Sequence, residues 1–280
     1  MPSLPGVDAS AALAAAARAG PYFVVEPRPG GPAWRPLSVL VSDPAVLAER
    51  VGHARAVLAR NAGTAPEEIQ ERVAASVVFL GLASRLVSPA LGAAVLGGVV
   101  PDLTVDGLWW RPVEGGPLPL AARAVRGAAA GDLSAGPQLR AAAAALSQGC
   151  VQGLAGPVLA AFRTLFRVSP QVLWGNVASA LAGAAGMLAG GFPARAQAAG
   201  QLTALILAQG PLRGSGELVQ PEAGRARRFL VRRSCCLLYR VPGGGTCGDC
   251  VLVPDEVRRQ QWRAVLAAQP SAADQSADRH

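Results

Sequence analysis

Four of the chain's five cysteines fall within sixteen residues, as Cys235-Cys236, ten residues, then Cys247-Gly248-Asp249-Cys250. Four thiolates are what a soft metal centre requires, either zinc or an iron–sulfur cluster. A secreted disulfide scaffold is normally smaller and spreads its cysteines more evenly. Redox disulfides are the remaining option.

The adjacent pair discriminates among these. Neighbouring residues on a strand point to opposite faces, so Cys235 and Cys236 reach one centre only if the backbone bends there. A single tetrahedral zinc is usually gripped by two spaced Cys-x-x-Cys knuckles. A binuclear cluster is wider and takes two ligands on each iron, so it accepts a less regular presentation. The loop Arg240–Thr246 carries Gly243, Gly244 and Gly245, which let the backbone approach closely and aim amides at sulfur. Hydrogen bonds to sulfur and nearby positive charge both favour the reduced cluster. Arg232, Arg233 and Arg240 are placed to supply that charge, with Gly245 and Gly248 as close backbone neighbours.

The 280 residues are 51% hydrophobic and 16% charged, a globular composition. All 26 basic residues are arginine, which with heavy Ala and Gly use reads as coding bias. Charge placement says more. Residues 225–263 hold nine arginines and three acids, +6 of the chain's net +8. Such a patch suits nucleic acid, an anionic membrane, an anionic partner or an anionic cofactor; the four cysteines favour the last. Met1–Gly20 lacks a basic n-region and is broken by Arg18, so no secretory leader is expected and a reducing cytoplasm fits best. Leu173–Phe192 has no charge, but it is mostly Ala and Gly with Asn176 inside; Val77–Val100 carries Arg85 and Pro89. Both read as buried core helices rather than membrane spans, leaving at most peripheral association with a membrane.

The pattern predicts a mainly α protein with small antiparallel β-hairpins, an α+β chain. Short strands are expected at Tyr22–Glu26 and Trp34–Val41. A helix starts at Asp43-Pro44 and runs to about Ala59, and another, after capping-box spacing from Thr64 to Glu67, runs to about Val87. Strands at Thr104–Pro112 and Leu118–Ala122 form a hairpin through Glu114-Gly115-Gly116. Helices follow near 144–155, 157–167, 170–189 and 193–208, with breaks at Gly156-Pro157, Ser169-Pro170 and Gly190–Pro193. Gly210–Gly224 reads as a connection, Phe229–Val231 and Leu237–Val241 as strands flanking the first cysteines, and Asp255 as the cap of a last helix. The expected organisation is a helical domain at 1–224, a cluster module at 225–268 and a disordered tail at 269–280.

The run Arg232-Arg-Ser-Cys-Cys-Leu-Leu-Tyr-Arg-Val-Pro-Gly-Gly-Gly-Thr-Cys-Gly-Asp-Cys250 resembles the C-terminal domain of FhuF-type ferric-siderophore reductases, which carry a [2Fe–2S] cluster on Cys-Cys-x10-Cys-x2-Cys. Ser169–Asn176 resembles that family's Trp-Gly-Asn helix start. Trp109-Trp110-Arg111 with Gly115–Leu118 sits where the family has a similar hairpin. Val251 departs from the pattern, since Pro often follows the last cysteine. The resemblance implies Cys235, Cys236, Cys247 and Cys250 as cluster ligands and a ferric siderophore as substrate, hydroxamate favoured. It also implies an electron donor such as a ferredoxin or flavin reductase, and a helical domain shared with siderophore synthetases. One electron turns tightly held Fe(III) into weakly held Fe(II), so no catalytic residue beyond the cluster is called for.

Plainer readings stand beside these. Cys150 reads as a small buried hydrophobe and His53 as a solvated helix residue. Trp174 is a core anchor or a wall of the siderophore pocket, and Asn176 pins a loop or meets substrate. Of Trp109 and Trp110, one faces the core and one is open to substrate, with Arg111 beside them. The competing functions are an electron carrier with another partner and a zinc-stapled nucleic-acid binder. The low aromatic content, 5%, and the lack of interleaving with basic residues count against nucleic acid.

Overall fold

A computed structural model describes residues 6–114 and 116–268. The expected tail from Gln269, with His280, and the turn residue Gly115 lie outside the described residues. The elements in order are β1 (Val7–Asp8), α1 (Ser10–Ala17), β2 (Arg35–Pro36), α2 (Val39–Ser42), α3 (Pro44–Ala62), α4 (Glu71–Gly97), β3 (Val99–Pro101), β4 (Leu108–Trp110), β5 (Leu120–Ala122), β6 (Arg126–Ala129), α5 (Gly136–Leu146), α6 (Gly156–Phe166), α7 (Pro170–Gly191), α8 (Ala196–Leu207), β7 (Gly216–Val219), β8 (Phe229–Arg232) and α9 (Asp255–Ala267). The fold is mainly helical, with three small antiparallel sheets ordered β1-β6-β3, β2-β4-β5 and β7-β8.

Helix α4 is the central post. It packs along α7 on one side and α1 on another. Small residues set the spacing: a Cβ on Gly97 would run into Ala12, and one on Gly92 would come within 2.7 Å of Phe23. Phe79 and Phe162 meet edge to face at 5.2 Å and tie α4 to α6. By length and composition α4, α7 and the run Gly136–Phe166 could each cross a membrane. The apolar windows of α4 and α7 are 72% and 67% buried within the protein.

Caps read from the sequence are in place. The Asp43 carboxylate accepts from the Ala45 and Val46 amides, and Ser169 Oγ accepts from Gln171 N at 3.3 Å. The 64–67 capping box is displaced by one residue. Glu68 reaches back to the Ala65 amide at 3.0 Å around a 3₁₀ turn, and α4 starts only at Glu71. That helix continues to Gly97 through Pro89, beyond the expected end, because both flanks of the proline are buried against neighbours.

Three expected strands are corrected. Tyr22–Glu26 is a 3₁₀ turn at Pro21–Phe23 with a single parallel bridge, Glu26 to Ala121. Buried Arg85 explains this: its guanidinium takes the carbonyls of Pro21, Tyr22 and Val24, as well as Leu118, leaving little backbone for a ladder. Trp34–Val41 keeps only Arg35–Pro36 as strand, since Pro36 offers no N–H and the chain coils into α2. Leu237–Val241 is a 3₁₀ turn (Leu238–Arg240), because Leu237 takes a left-handed conformation at φ 69°. The expected break at Gly156-Pro157 is absent. A π-helical stretch, Ser147–Ala155, carries the chain continuously from α5 into α6 and accommodates the proline without a stop. Strands β1, β3, β6 and β7 gave no clear sequence pattern; β7 lies inside the Gly210–Gly224 segment and pairs with β8 along its whole length.

Candidate metal centre

Strand β8 delivers the first cysteine pair. Its last residue, Arg232, turns inward, and Cys235 and Cys236 follow at the strand's end. The left-handed Leu237 turns the chain immediately after the pair. Its amide donates to Cys235 Sγ at 3.3 Å, and the Leu238 amide donates to the Cys236 sulfur. The glycine loop has a different task. Gly243 and Gly245 take positive φ, and a Cβ on Gly244 would stand 2.7 Å from the Leu238 carbonyl. The glycines fold the loop tightly back on the 3₁₀ turn, and the Leu237 and Leu238 amides do the sulfur contacts. The second pair sits on a turn closed by Cys250 N to Cys247 O at 3.1 Å.

The thiols are close to one another. Cys236 and Cys247 share a sulfur hydrogen bond, and Cys235 lies within electrostatic reach of Cys236 and Cys250. Cys236 and Cys250 are buried; Cys235 and Cys247 are half-buried. The Cys247 hydrogen bond, the Leu238 amide and the Arg232 charge together hold Cys236 toward thiolate, against the cost of its burial. The same shared bond pushes Cys247 up. Burial raises Cys235, opposed by the Leu237 amide and Arg232.

A buried polar chain ties this centre to the helices. Arg232 Nη2 donates to Asn176 Oδ1 at 2.7 Å, and Asn176 Nδ2 donates to Ser76 O at 3.0 Å and Ser76 Oγ at 3.1 Å. Ser76 Oγ donates in turn to the Cys236 carbonyl at 2.8 Å. Gly175 makes room for it. A Cβ there would collide with Ser234 Oγ and come within 2.9 Å of Arg232 Nη2. On the far side Ser179 Oγ donates to the Asp249 carboxylate, whose pKa burial raises.

Residues 232–252 match the family described as the FhuF 2Fe-2S C-terminal domain. All four clustered cysteines lie inside the match, and the domain type indicates a [2Fe–2S] cluster and siderophore-iron reductase-like chemistry. A comparison with curated proteins found no match.

The cysteine segment fits that group. The donor set is all thiol. Arg232 is only 1% exposed, and its Nε and Nη1 have no protein partner, so a buried cation faces the sulfurs with hydrogen-bonding capacity to spare. Neighbouring thiol pairs suit a wider binuclear cluster better than one tetrahedral zinc.

The other residues singled out from the sequence separate clearly. Arg233 and Arg240 are exposed, as are Gly245 and Gly248. Asn176 is fully buried and serves as the pin between α7 and the cysteines. Trp174 is half-buried on the other face of α7, in a shallow cleft with Pro170 and Arg163. Trp110 is core, and Trp109 is half-buried under Arg123 at 5.7 Å. Arg111 stacks on Trp34 at 5.6 Å. None of these aromatic residues lines the cleft beside the cysteines. Cys150 is buried as expected, with its Sγ 3.4 Å from the Leu86 carbonyl. Ser76, Ser179 and Asp249 carry no clear sequence signal: a serine in an apolar helix has no periodic mark, and Asp249 stands between two cysteines like any intervening residue.

Proposed function

We propose that this protein is a ferric-siderophore reductase whose thiols Cys235, Cys236, Cys247 and Cys250 hold the electron-transferring cluster. The observation that carries this reading is the FhuF 2Fe-2S match over all four cysteines. When bound, a [2Fe–2S] cluster supplies one electron to Fe(III), giving Fe(II), and regains it from an external donor such as a ferredoxin or flavin reductase.

The chain's own residues set the conditions. Arg232 places a buried positive charge beside the sulfurs and favours the extra electron. Ser76, itself held by Asn176, fixes the Cys236 carbonyl in place. Cys247 stands at the edge of the site and opens onto a cleft. The cytoplasm is the setting that suits five cysteines with no disulfide among the described residues.

The basic stretch supports this reading over nucleic-acid binding. Arg232 and Arg258 are buried, Arg225, Arg227 and Arg228 half-buried, and Arg233, Arg240, Arg259 and Arg263 exposed, so fewer than half of the nine present their charge openly to a phosphate backbone.

The test is iron release. Chemically reduced protein is mixed with hydroxamate, catecholate and carboxylate ferric chelates, and Fe(II) is trapped by a coloured ferrous chelator. Release from at least one class, with reoxidation of the visible spectrum, is expected. No release from any class, or a colourless zinc-loaded protein, overturns the reading.

A further inference from the structure

A cleft borders the cluster cysteine Cys247. It has a volume of about 370 Å³ and runs between α7, residues 227–230, the Thr246–Asp249 turn and α9. That volume is in the range of small-molecule sites, roughly 300–1,000 Å³. Its floor on α7 is made of Ala182, Gly183 and Gly186, which leave it open. Phe229 and Trp262 stack at 5.2 Å along one side, and the Arg227 guanidinium lies 5.0 Å over the Phe229 ring. Arg228 stands on the same wall.

On the protein side the cleft is cationic, with Arg227 and Arg228 opposed by Asp249 and by the negative charge of a thiolate-held cluster. Among the described residues the one ion pair is Arg258 with Asp255, so neither Arg227 nor Arg228 has an acidic partner. Arg227 Nε is buried with no hydrogen-bond partner. The carboxylate at the cleft, Asp249, is bonded to Ser179. By contrast, the cleft between α3 and the β4–β5 hairpin is lined by Arg35 and Arg50 together with Glu49 and Glu114, and by no cysteine.

We propose that the cleft beside Cys247 binds the ferric chelate and that Arg227 and Arg228 select chelates with net negative charge. This rests on the reductase reading for the identity of the ligand. Three singly charged hydroxamates only neutralise Fe(III), so such a complex gains little from two half-buried guanidiniums. Catecholates, with two anionic oxygens each, and carboxylate-rich chelators leave the complex anionic, and its attraction is strengthened by the low-dielectric walls. The Phe229–Trp262 pair gives a flat face for aryl or apolar ligand arms. A chelate seated there touches the Cys247 side of the centre, with no protein layer between. The preference departs from the hydroxamate class that the resemblance favours.

The test separates binding from turnover. Gallium(III) complexes of a tris-catecholate and a tris-hydroxamate are redox-inert, and their affinities for the cluster-loaded protein are read by calorimetry and Trp fluorescence quenching. The catecholate complex is expected to bind about tenfold or more tightly, with a preference that fades as salt rises. Arg227→Gln with Arg228→Gln is expected to abolish the preference while the cluster's visible spectrum stays unchanged. Gly183→Leu, where a Cβ meets open space, is expected to weaken both complexes by filling the cleft without touching the arginines. Equal affinities, a preference that survives the double substitution, or binding untouched by Gly183→Leu overturns the proposal. So does a double variant that binds chelate normally but is reduced more slowly by its donor, which assigns the cleft to the donor. If ferric chelates of both kinds release iron yet bind alike, the charge selection falls and the reductase reading stands; if neither releases iron, the reductase reading falls.

Discussion

Arg232 and Asn176 meet across the join between the cysteine segment and α7, Nη2 to Oδ1 at 2.7 Å, with both side chains shut off from water. Asn176 spends both ends of its amide there, giving to Ser76 and taking from Arg232. Asn176→Leu leaves a buried guanidinium without its main partner and Ser76 without a donor. Loss of a charged buried hydrogen bond and its desolvated remnant costs about 2–4 kcal/mol. Urea denaturation of the cluster-loaded variant is expected to show that loss. Asn176→Asp, which still accepts from Arg232, is expected to keep more than half of it. Equal stability of all three proteins would show that the join carries no energy.

Gly175 is required by its neighbours rather than by its φ. Gly175→Ala drives a methyl into Ser234 Oγ and against Arg232 Nη2. Ser234 then has to give up its 2.9 Å bond to the Gln171 carbonyl. A cost of about 1–3 kcal/mol is expected for overpacking at such a contact. Adding Ser234→Ala removes the colliding oxygen and is expected to recover part of it. A double-mutant cycle with zero coupling contradicts the close approach.

The Trp-Gly-Asn segment shows what the sequence could and could not disclose. Its type was legible: Ser169 and Pro170 announce a helix start, and a polar Asn in an apolar helix demands a partner. The partner was not, because Arg232 is 56 residues away and nothing local links them. That the four clustered cysteines would gather was legible from their spacing. The bend between them was not, since Leu237 is a poor candidate for a left-handed conformation and adopts it only because the surrounding fold imposes it. Arg85 failed in the same way. A lone Arg in an apolar run gave no hint that it would replace a strand ladder with four side-chain bonds.

Among the three arginines nearest the cysteines, Arg232 is buried and Arg233 and Arg240 are exposed. Reduction adds negative charge to the cluster, so a nearby cation raises the potential and its removal lowers it. Screening by water weakens the exposed pair. Arg232→Gln is expected to lower the potential by tens of millivolts, where about 59 mV corresponds to tenfold for one electron. Arg233→Gln and Arg240→Gln are expected to shift it by much less. Protein-film voltammetry reads all three, and equal shifts would show that burial does not set the electrostatics.

Removing the cluster should loosen a defined part of the chain. The Cys235–Cys250 loop has one 3₁₀ turn, and seven of its sixteen residues are exposed. After treatment with an oxidant and an iron chelator, hydrogen exchange is expected to speed up in residues 233–254 and to stay slow in α4 and α7, whose apolar faces bury one another. Uniform acceleration would mean that the helices depend on the cluster as well.

The fifth cysteine provides an internal control. Burial alone pushes the Cys150 thiol up to about 12, and its Sγ donates to the Leu86 carbonyl. The sign is simple: the neutral form is favoured in the folded state, so the reactive thiolate forms only above that pH while the fold persists. In the folded protein stripped of its cluster, alkylation is expected to reach the clustered cysteines first. Labelling of Cys150 is expected to stay negligible from pH 7 to pH 10 and to appear only on unfolding. Cys150→Ala is expected to leave the visible spectrum intact, whereas Cys236→Ser is expected to lose it. Mass spectrometry of the labelled peptides settles the first point and absorption of the purified variants the second. A Cys150 labelled as fast as Cys235 would contradict its burial, and a Cys236→Ser variant with unchanged absorption would remove that residue from the ligand set.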